Sequence, residues 1–523
     1  MTPTGYSRRT DVASPGDSAR TIPFSRSQGS ARAVATNLVF SLVTLSVGFV
    51  SVPLLLRWLG ADRVGMYRVL LDSFAYLGLF GFGIDGALLA CLAREIGRGN
   101  RGATAQVLAA GLKAYLPVSL VMVLGGGGLT FSLRHIFALG SVPQGELMFA
   151  GFIMAGNAFL IPFAVFRALA EAEQRSYLVK LLLTFQSILL TCLLLAAARL
   201  GWGLPGQMLA TLLAQTPTIA ILTVHGVRRY PGLRSVTVEP EVHAALWSLS
   251  WPTLFVAVCG QAALLSDNIV VGAFLGPLSV TAFFLTQRLA SLAQAQLQGL
   301  GNASWAALVE LHAQERHEVF RKRLLELTSL VSALSLATLG PIAVYTEHFI
   351  RLWVGPVYFA GFAVSCLASV NAWLWSLSSL WSWPVSGTGH VRRWLPYAVA
   401  SAIVNLLISI LATMQLGVMG PLLGTLAGFL LVHSWGLPRV LWEAFSLEPR
   451  QLLEHATAPM LWGVPYVGVL WYLTQEYPPA GWIALVTQTA LAGSVGLALW
   501  WFLSLTGHDR RLWTTRLRMS LTW

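Results

Sequence analysis

The chain has 523 residues, of which 55% are hydrophobic and only 11% charged, with 20 Trp. Its mean hydropathy is +0.66, whereas in soluble domains about a quarter of residues are charged. The net charge is +12, but the basic residues stand between apolar runs and form no compact patch, which argues against a nucleic-acid surface.

Residues 1–32, rich in Ser, Arg, Thr and Gly, lack the apolar core of a signal peptide and read as a disordered basic tail. From Ala33 to Leu505 apolar runs of about twenty residues follow one another, each long enough to cross hydrocarbon as a helix. No water reaches backbone amides there, so these runs must be helical. Hydropathy places spans at 33–59, 66–90, 106–129, 147–169, 178–198 and 207–224, a first set of six. A polar linker at 225–245 precedes a second six, at 246–275, 281–301, 324–345, 359–383, 395–416 and 417–437. Two more spans, 456–473 and 482–505, lie within 438–505, and 506–523 is a basic tail. The expected fold is an all-α polytopic membrane protein of about fourteen helices, with an N-lobe at 33–224 and a C-lobe at 246–437.

Arginines set the expected orientation. Arg94, Arg98 and Arg101, Arg175, Arg228 and Arg229, Arg316 to Arg323, and Arg392 and Arg393 fall in alternate loops, which predicts both termini on the cytoplasmic side. The opposite loops are poorer in Lys and Arg, except that the first holds Arg57 and Arg63, with Arg68 just beyond. Cys91, Cys192, Cys259 and Cys366 lie in or at the ends of apolar segments without CxxC spacing, so neither disulfides nor a zinc site are expected.

A shift of 216 residues, without a gap, matches Leu59 with Leu275, Gly60 with Gly276, Val64 with Val280, Gly83 with Gly299, Ala87 with Ala303 and Leu92 with Leu308. The matches fall at the same point of a short outer turn and of the span that follows it, as a parallel duplication of a transporter lobe predicts.

The stretch 52–100, with Pro53, the Leu59-Gly60 turn, Tyr67, a glycine-rich helix end and a basic exit, resembles the opening of bacterial polysaccharide flippases. Its counterpart at 266–315, where Asp267 precedes the Leu275-Gly276 turn, resembles their second-lobe segment. Together these cover about 100 residues and resemble the Wzx-type branch of the multidrug/oligosaccharidyl-lipid/polysaccharide (MOP) superfamily, whose lobes share the MATE-like fold. The resemblance implies a flippase moving an undecaprenyl-diphosphate-linked oligosaccharide by alternating access in the bacterial inner membrane. It also implies membrane lipids, a polysaccharide polymerase and a chain-length regulator as partners, a coupling ion (H+ or Na+), and no cofactor.

The residues offer an independent reading. In the eighth span Gln287, Ser291, Gln294 and Gln298 fall within about 60° on a helix at 100° per residue, with Arg288 and Asn302 flanking them. A charge at a helix centre costs about 2.5 to 3.5 kcal/mol to insert, so Arg288 should face protein or a water-filled cavity. The stripe reads as a cavity lining, with interhelical packing as the competing reading. In the second span Arg68 and Asp72 are four apart and can pair, while Asp85 points about 140° away and can cap its own helix end. Arg68 either snorkels to headgroups or presents a guanidinium fork to a diphosphate. Asp267, with Asn268 and Gln261 near it, is a coupling candidate or the partner of a neighbouring arginine, and Asp85 is a second candidate. In the 216-residue register Asp72 falls opposite Arg288, so an Asp72 to Arg288 gate competes with the local Arg68 to Asp72 pair. Asn157 and Asn371 read as packing amides. Trp373, Trp375, Trp381 and Trp383 read as an aromatic belt or as sugar-stacking rings.

Enzyme and motor readings find no support. The lysines, Lys113, Lys180 and Lys322, never follow Gly, so no GxxxxGK[ST] loop exists, and GxSxG and HExxH are absent. A glycan polymerase would carry a large outer loop, and the outer loops here are short. A drug/cation antiporter of the same superfamily and a scaffold for glycan assembly are the remaining alternatives.

Overall fold

The computed structural model describes residues 24–137, 139–233, 236–505, 507, 510–511 and 513–515. Residues 1–23, most of the tail after Leu505, Arg234, and the side chains of Arg134, Cys259 and Gln261 lie outside the described residues. Every regular element among the described residues is helical. In chain order they are α1 (Phe24–Leu59), α2 (Ala61–Gly97), α3 (Arg101–Ile136), α4 (Gln144–Gly156), α5 (Ala164–Ala172), α6 (Ser176–Arg199), α7 (Gly203–Arg229), α8 (Pro240–Leu275) and α9 (Pro277–Ala313). Then come α10 (His317–Trp353), α11 (Phe362–Gly387), α12 (Val391–Leu416), α13 (Gly420–Gly428), α14 (Ser434–Phe445), α15 (Pro449–Thr457), α16 (Gly463–Glu476) and α17 (Trp482–Leu499). A 3-10 stretch joins α4 to α5, a π turn joins α13 to α14, and α15 runs on towards α16, so the elements group into fourteen rods.

Nine helical stretches among the described residues are long and apolar enough to cross a membrane, ten if the two parts of α2, bent by 53° near its glycines, count as one. One of the nine, Val391–Phe445, is itself a hairpin, because Gly417 at φ 66° reverses the chain after α12. α9 falls below that hydropathy because its polar stripe runs through it. Pro438, expected to begin a non-spanning segment, instead sits inside α14.

The duplication is visible in the backbone. Gly60 and Gly276, 216 apart, both link two long helices at nearly the same angles, φ 88° and 82°, in the left-handed region that favours glycine. Packing repeats in parallel: α1 lies on α6 as α8 lies on α12, α6 on α7 as α12 on α13, and α2 on α3 as α9 on α10. This is a two-lobe, all-helical architecture. α16 and α17 dock on α10 of the second lobe, where Tyr466 Oη donates to the Ala492 carbonyl at 2.7 Å.

The lobes meet where α2 packs along α8 and crosses α9. Thr281 Oγ1 donates to the Ala61 carbonyl at 2.7 Å, and a Cβ added to Gly65 would stand 1.9 Å from the Pro277 oxygen and 2.9 Å from Thr281 Oγ1. In the 216-residue register Ala61 corresponds to Pro277 and Gly65 to Thr281. Each turn therefore touches its own counterpart, as an approximate two-fold axis through the crossing requires. One apolar core spans both lobes at this end, joining Met66, Val69, Leu70 and Phe74 to Val271, Val280 and Phe283. Towards the Arg98 and Arg316 ends there are two cores, one of the first lobe, the linker and the first turns of α8, including Leu246, and one within the second lobe. The lobes share one core at the Ala61/Pro277 end, whereas at the other end it is the linker and the start of α8 that pack on the first lobe.

Candidate functional site

Just below the crossing, α2 presents Arg68 and Asp72 one turn apart, and the two pair, with Arg68 Nε 3.2 Å from Asp72 Oδ2. Asp72 is buried, and the same oxygen accepts a bond from Asn268 Nδ2 of α8 at 2.7 Å. One carboxylate is thus held from both lobes. On α9, Phe284 and Arg288 are also one turn apart, and the guanidinium carbons of Arg68 and Arg288 lie 5.1 and 5.7 Å from the Phe284 ring centroid. Phe284 is the 216-residue counterpart of Arg68, and Arg288 that of Asp72, so the group straddles the axis. Arg288 makes no ion pair among the described residues. Its Nη2 lies against α1, where a Cβ at Gly48 would stand 3.3 Å away.

These side chains border a cavity of about 170 Å³, walled by α8, α9, α11 and α13. Gln287, Ser291 and Gln294 line it with Arg68, Arg288, Asp267 and Asn268, and the amides of Gln287 and Gln294 have no protein partner among the described residues. Half-buried Asp267 has its Oδ1 buried without a hydrogen-bond partner. Gln298 shares the helix face of Gln294 but donates to Ser379 Oγ at 3.0 Å instead. By that depth α11 has closed on α9, so the same face becomes a helix interface. Asn302, farther on, is exposed and does not line the cavity.

Asp85 lies elsewhere. It accepts a hydrogen bond from Tyr115 of α3 and borders a largely apolar cavity of about 480 Å³ inside the first lobe, with Arg167 and Asn157. It neither caps its own helix end nor joins the central group. Asn371 donates to the Leu422 carbonyl at 2.9 Å, the packing bond expected of it. The tryptophans divide: Trp381 is buried and donates to Thr328 Oγ1 at 3.0 Å, Trp373 donates to Ser332 Oγ at 3.1 Å, and Trp375 faces the cavity. The Asp72 to Arg288 pair does not form, because Arg68 and Asn268 already occupy Asp72.

Phe284 and Thr425 escaped the sequence reading. For Phe284 a signal existed, since the 216-residue register places it opposite Arg68. Thr425 belongs to a segment that only folding brings to α9.

Chemically, the site offers guanidinium donors in a fork suited to phosphate or carboxylate, an aromatic face between them, neutral amides and one unpaired carboxylate.

Most of the backbone matches solved structures. A multidrug resistance MATE family transporter of the MOP superfamily in an inward-facing conformation superposes with a TM-score of 0.65 at 16% identity, covering 76% of this chain and 98% of that one. The lipid II flippase MurJ, in an inward closed conformation, gives 0.68 at 13% identity, covering 89% of this chain and 99% of that one. The fold is that of these MATE and MurJ structures. An outward-facing MATE structure gives 0.56 at 15% identity over 78% of this chain and 95% of that one. No family model matches the sequence, and no curated protein does.

Proposed function

We propose that the chain is a Wzx-type flippase that carries a polyprenyl-diphosphate-linked oligosaccharide across the bacterial inner membrane by alternating access, with both termini cytoplasmic. The observation that carries this reading is the guanidinium of Arg288, without an ion pair among the described residues, beside Arg68 and Phe284 and facing a cavity of the second lobe that Arg68 of the first lobe borders. An anionic diphosphate meets a free fork there without first breaking a salt bridge. Gln287, Ser291 and Gln294 extend the cargo path along α9, whereas Asp72 serves to orient Arg68, and Gln298 and Asn302 lie beyond the path. Asp267 repels an anionic cargo unless a proton or Na+ neutralises it, which makes it the coupling residue of this reading; Asp85 is a separate candidate in the first lobe. The lobes are taken as 33–224 and 246–437, with 225–245 as linker and 438–505 as an appended pair of spans. An apolar groove of about 500 Å³ between α10, α11 and α16 offers the lipid chain a place outside the polar cavity. A polymerase and a chain-length regulator would act on the product.

The drug/cation antiporter reading draws on Asp267 alone. Reconstituted protein and a fluorescent polyprenyl-diphosphate sugar decide between the two. Losing one charge-assisted bond of about 1.5 to 3 kcal/mol, Arg288→Gln should slow flipping about ten- to hundredfold. Wild-type rates in Arg288→Gln, or transport of an organic cation without any flipping, would overturn the proposal.

A further inference from the structure

Behind the guanidinium site lies a second chamber, within the second lobe. It has a volume of about 140 Å³ and lies between α11 and the hairpin of α12 with α13 and α14. Asn371, Trp375 and Thr425 are walls of both cavities. The helices leave this space because α12 is drawn away from α11 onto α13. Gly420, Gly424 and Gly428 let α13 press so closely on α12 that a Cβ at Gly424 would stand 2.0 Å from Ser409 Oγ.

Its lining has a distinct chemistry. No Asp, Glu, Lys or Arg borders it, whereas hydroxyls, amides and aromatic rings do. The π turn Phe429–His433 brings His433 into the wall. There the imidazole stands edge-on to Trp394 at 4.9 Å and to Trp375 at 6.1 Å, between ring centroids. Its Nδ1 is 2.9 Å from Ser378 Oγ, which fixes the ring and leaves Nε2 without a partner among the described residues. Neither indole N–H of Trp375 and Trp394 has a partner among them, and Asn371 Oδ1 is buried and unpaired. Hydroxyls elsewhere in these helices mostly bond their own backbone one turn back, as Ser376 does to Ala372. In the chamber Ser382 does the same to Ser379, Ser401 bonds the Gly428 carbonyl and Asn405 bonds Thr425 Oγ1; the two indole N–H groups, His433 Nε2 and Asn371 Oδ1 are the unmet groups around it, each costly to bury unless a ligand or water meets it.

The geometry points to this chamber as a neutral saccharide subsite, in which a pyranose ring is held against Trp375 and Trp394 and bonded by Asn371, His433 and the α11 hydroxyls. A pyranose presents apolar C–H faces and a rim of hydroxyls, and aromatic platforms beside neutral polar groups match both. The absence of charge in the lining disfavours ions. The inference rests on the flippase reading and deepens it: the diphosphate would sit at Arg288 while a sugar of the same cargo passes Trp375 into the chamber.

Saturation-transfer NMR on the full chain in nanodiscs tests this, with glucose, galactose, N-acetylglucosamine and lactose as neutral probes and inorganic pyrophosphate as the anionic one. Wild type should give transfer to at least one pyranose, and Trp375→Ala should weaken it about tenfold, Trp375→Phe much less. Ser382→Val, which narrows the chamber without touching either indole, should weaken it as well and guards against a misfolded tryptophan variant. Arg288→Gln should lose pyrophosphate while keeping the sugar. Pyrophosphate binding without any pyranose signal overturns the subsite and leaves the flippase reading standing. Pyranose binding that Trp375→Ala and Ser382→Val leave unchanged also overturns the subsite. Sugar binding without pyrophosphate binding overturns the guanidinium reading instead, and no binding of either overturns both. Preference for tetraphenylphosphonium over every pyranose assigns the chamber to an organic cation and refutes the saccharide.

Discussion

Gly65 controls whether the α2–α9 crossing can close. Adding one methyl group, Gly65→Ala, places Cβ 1.9 Å from the Pro277 oxygen and 2.7 Å from its carbonyl carbon, where real Cβ contacts essentially never fall below 3.0 Å. The neighbouring atoms are backbone, so the helices must separate by about 1 Å or more. Overpacking of this kind costs about 1 to 3 kcal/mol. The contact exists only when the lobes meet at this end, so the cost falls on that state alone and lowers its population about five- to 150-fold relative to the open one. Pulsed electron resonance between spin labels at Arg57 and Leu278, both exposed near this end and one on each lobe, reads the separation directly once the four native cysteines are replaced. A longer distance should grow in Gly65→Ala. An unchanged distance distribution in a folded variant would refute the idea that this crossing holds the two lobes together at this end.

Arg68→Ala leaves buried Asp72 with Asn268 alone and should cost about 2 kcal/mol, less than a fully buried pair because Arg68 is partly exposed; Arg68→Ala with Asp72→Asn should recover most of the melting temperature but not transport. The swap Asp72→Arg with Arg288→Asp should rescue neither single variant, since Asp72 is committed to Arg68 and Asn268; rescued export would revive the gate between the two residues. Gln294→Leu should lower export at an unchanged melting temperature, whereas Gln298→Leu breaks the bond to Ser379 and should cost about 1 kcal/mol of stability. A cysteine at Arg316 should react with an impermeant maleimide only in inside-out vesicles, and labelling from the periplasm would reverse the orientation.

Hydropathy alone determined that this chain is a bundle of membrane helices, because a span needs about twenty apolar residues and the bilayer enforces the helix. The sequence also carried the duplication, since Gly60 and Gly276 must both supply a positive φ at the same turn. Helix periodicity placed Gln287, Ser291 and Gln294 on one face and allowed Arg68 to meet Asp72, both being local relations along one helix. Only the tertiary structure decided what each face meets. Gln298 became an interface because α11 reaches α9 at its depth, and Asp85 turned to Tyr115 inside the first lobe. Asn268 of α8 and Phe284 of α9 joined Arg68 and Asp72 because the pseudo-two-fold axis carries α2 across both helices, and no spacing along a single helix encodes that crossing.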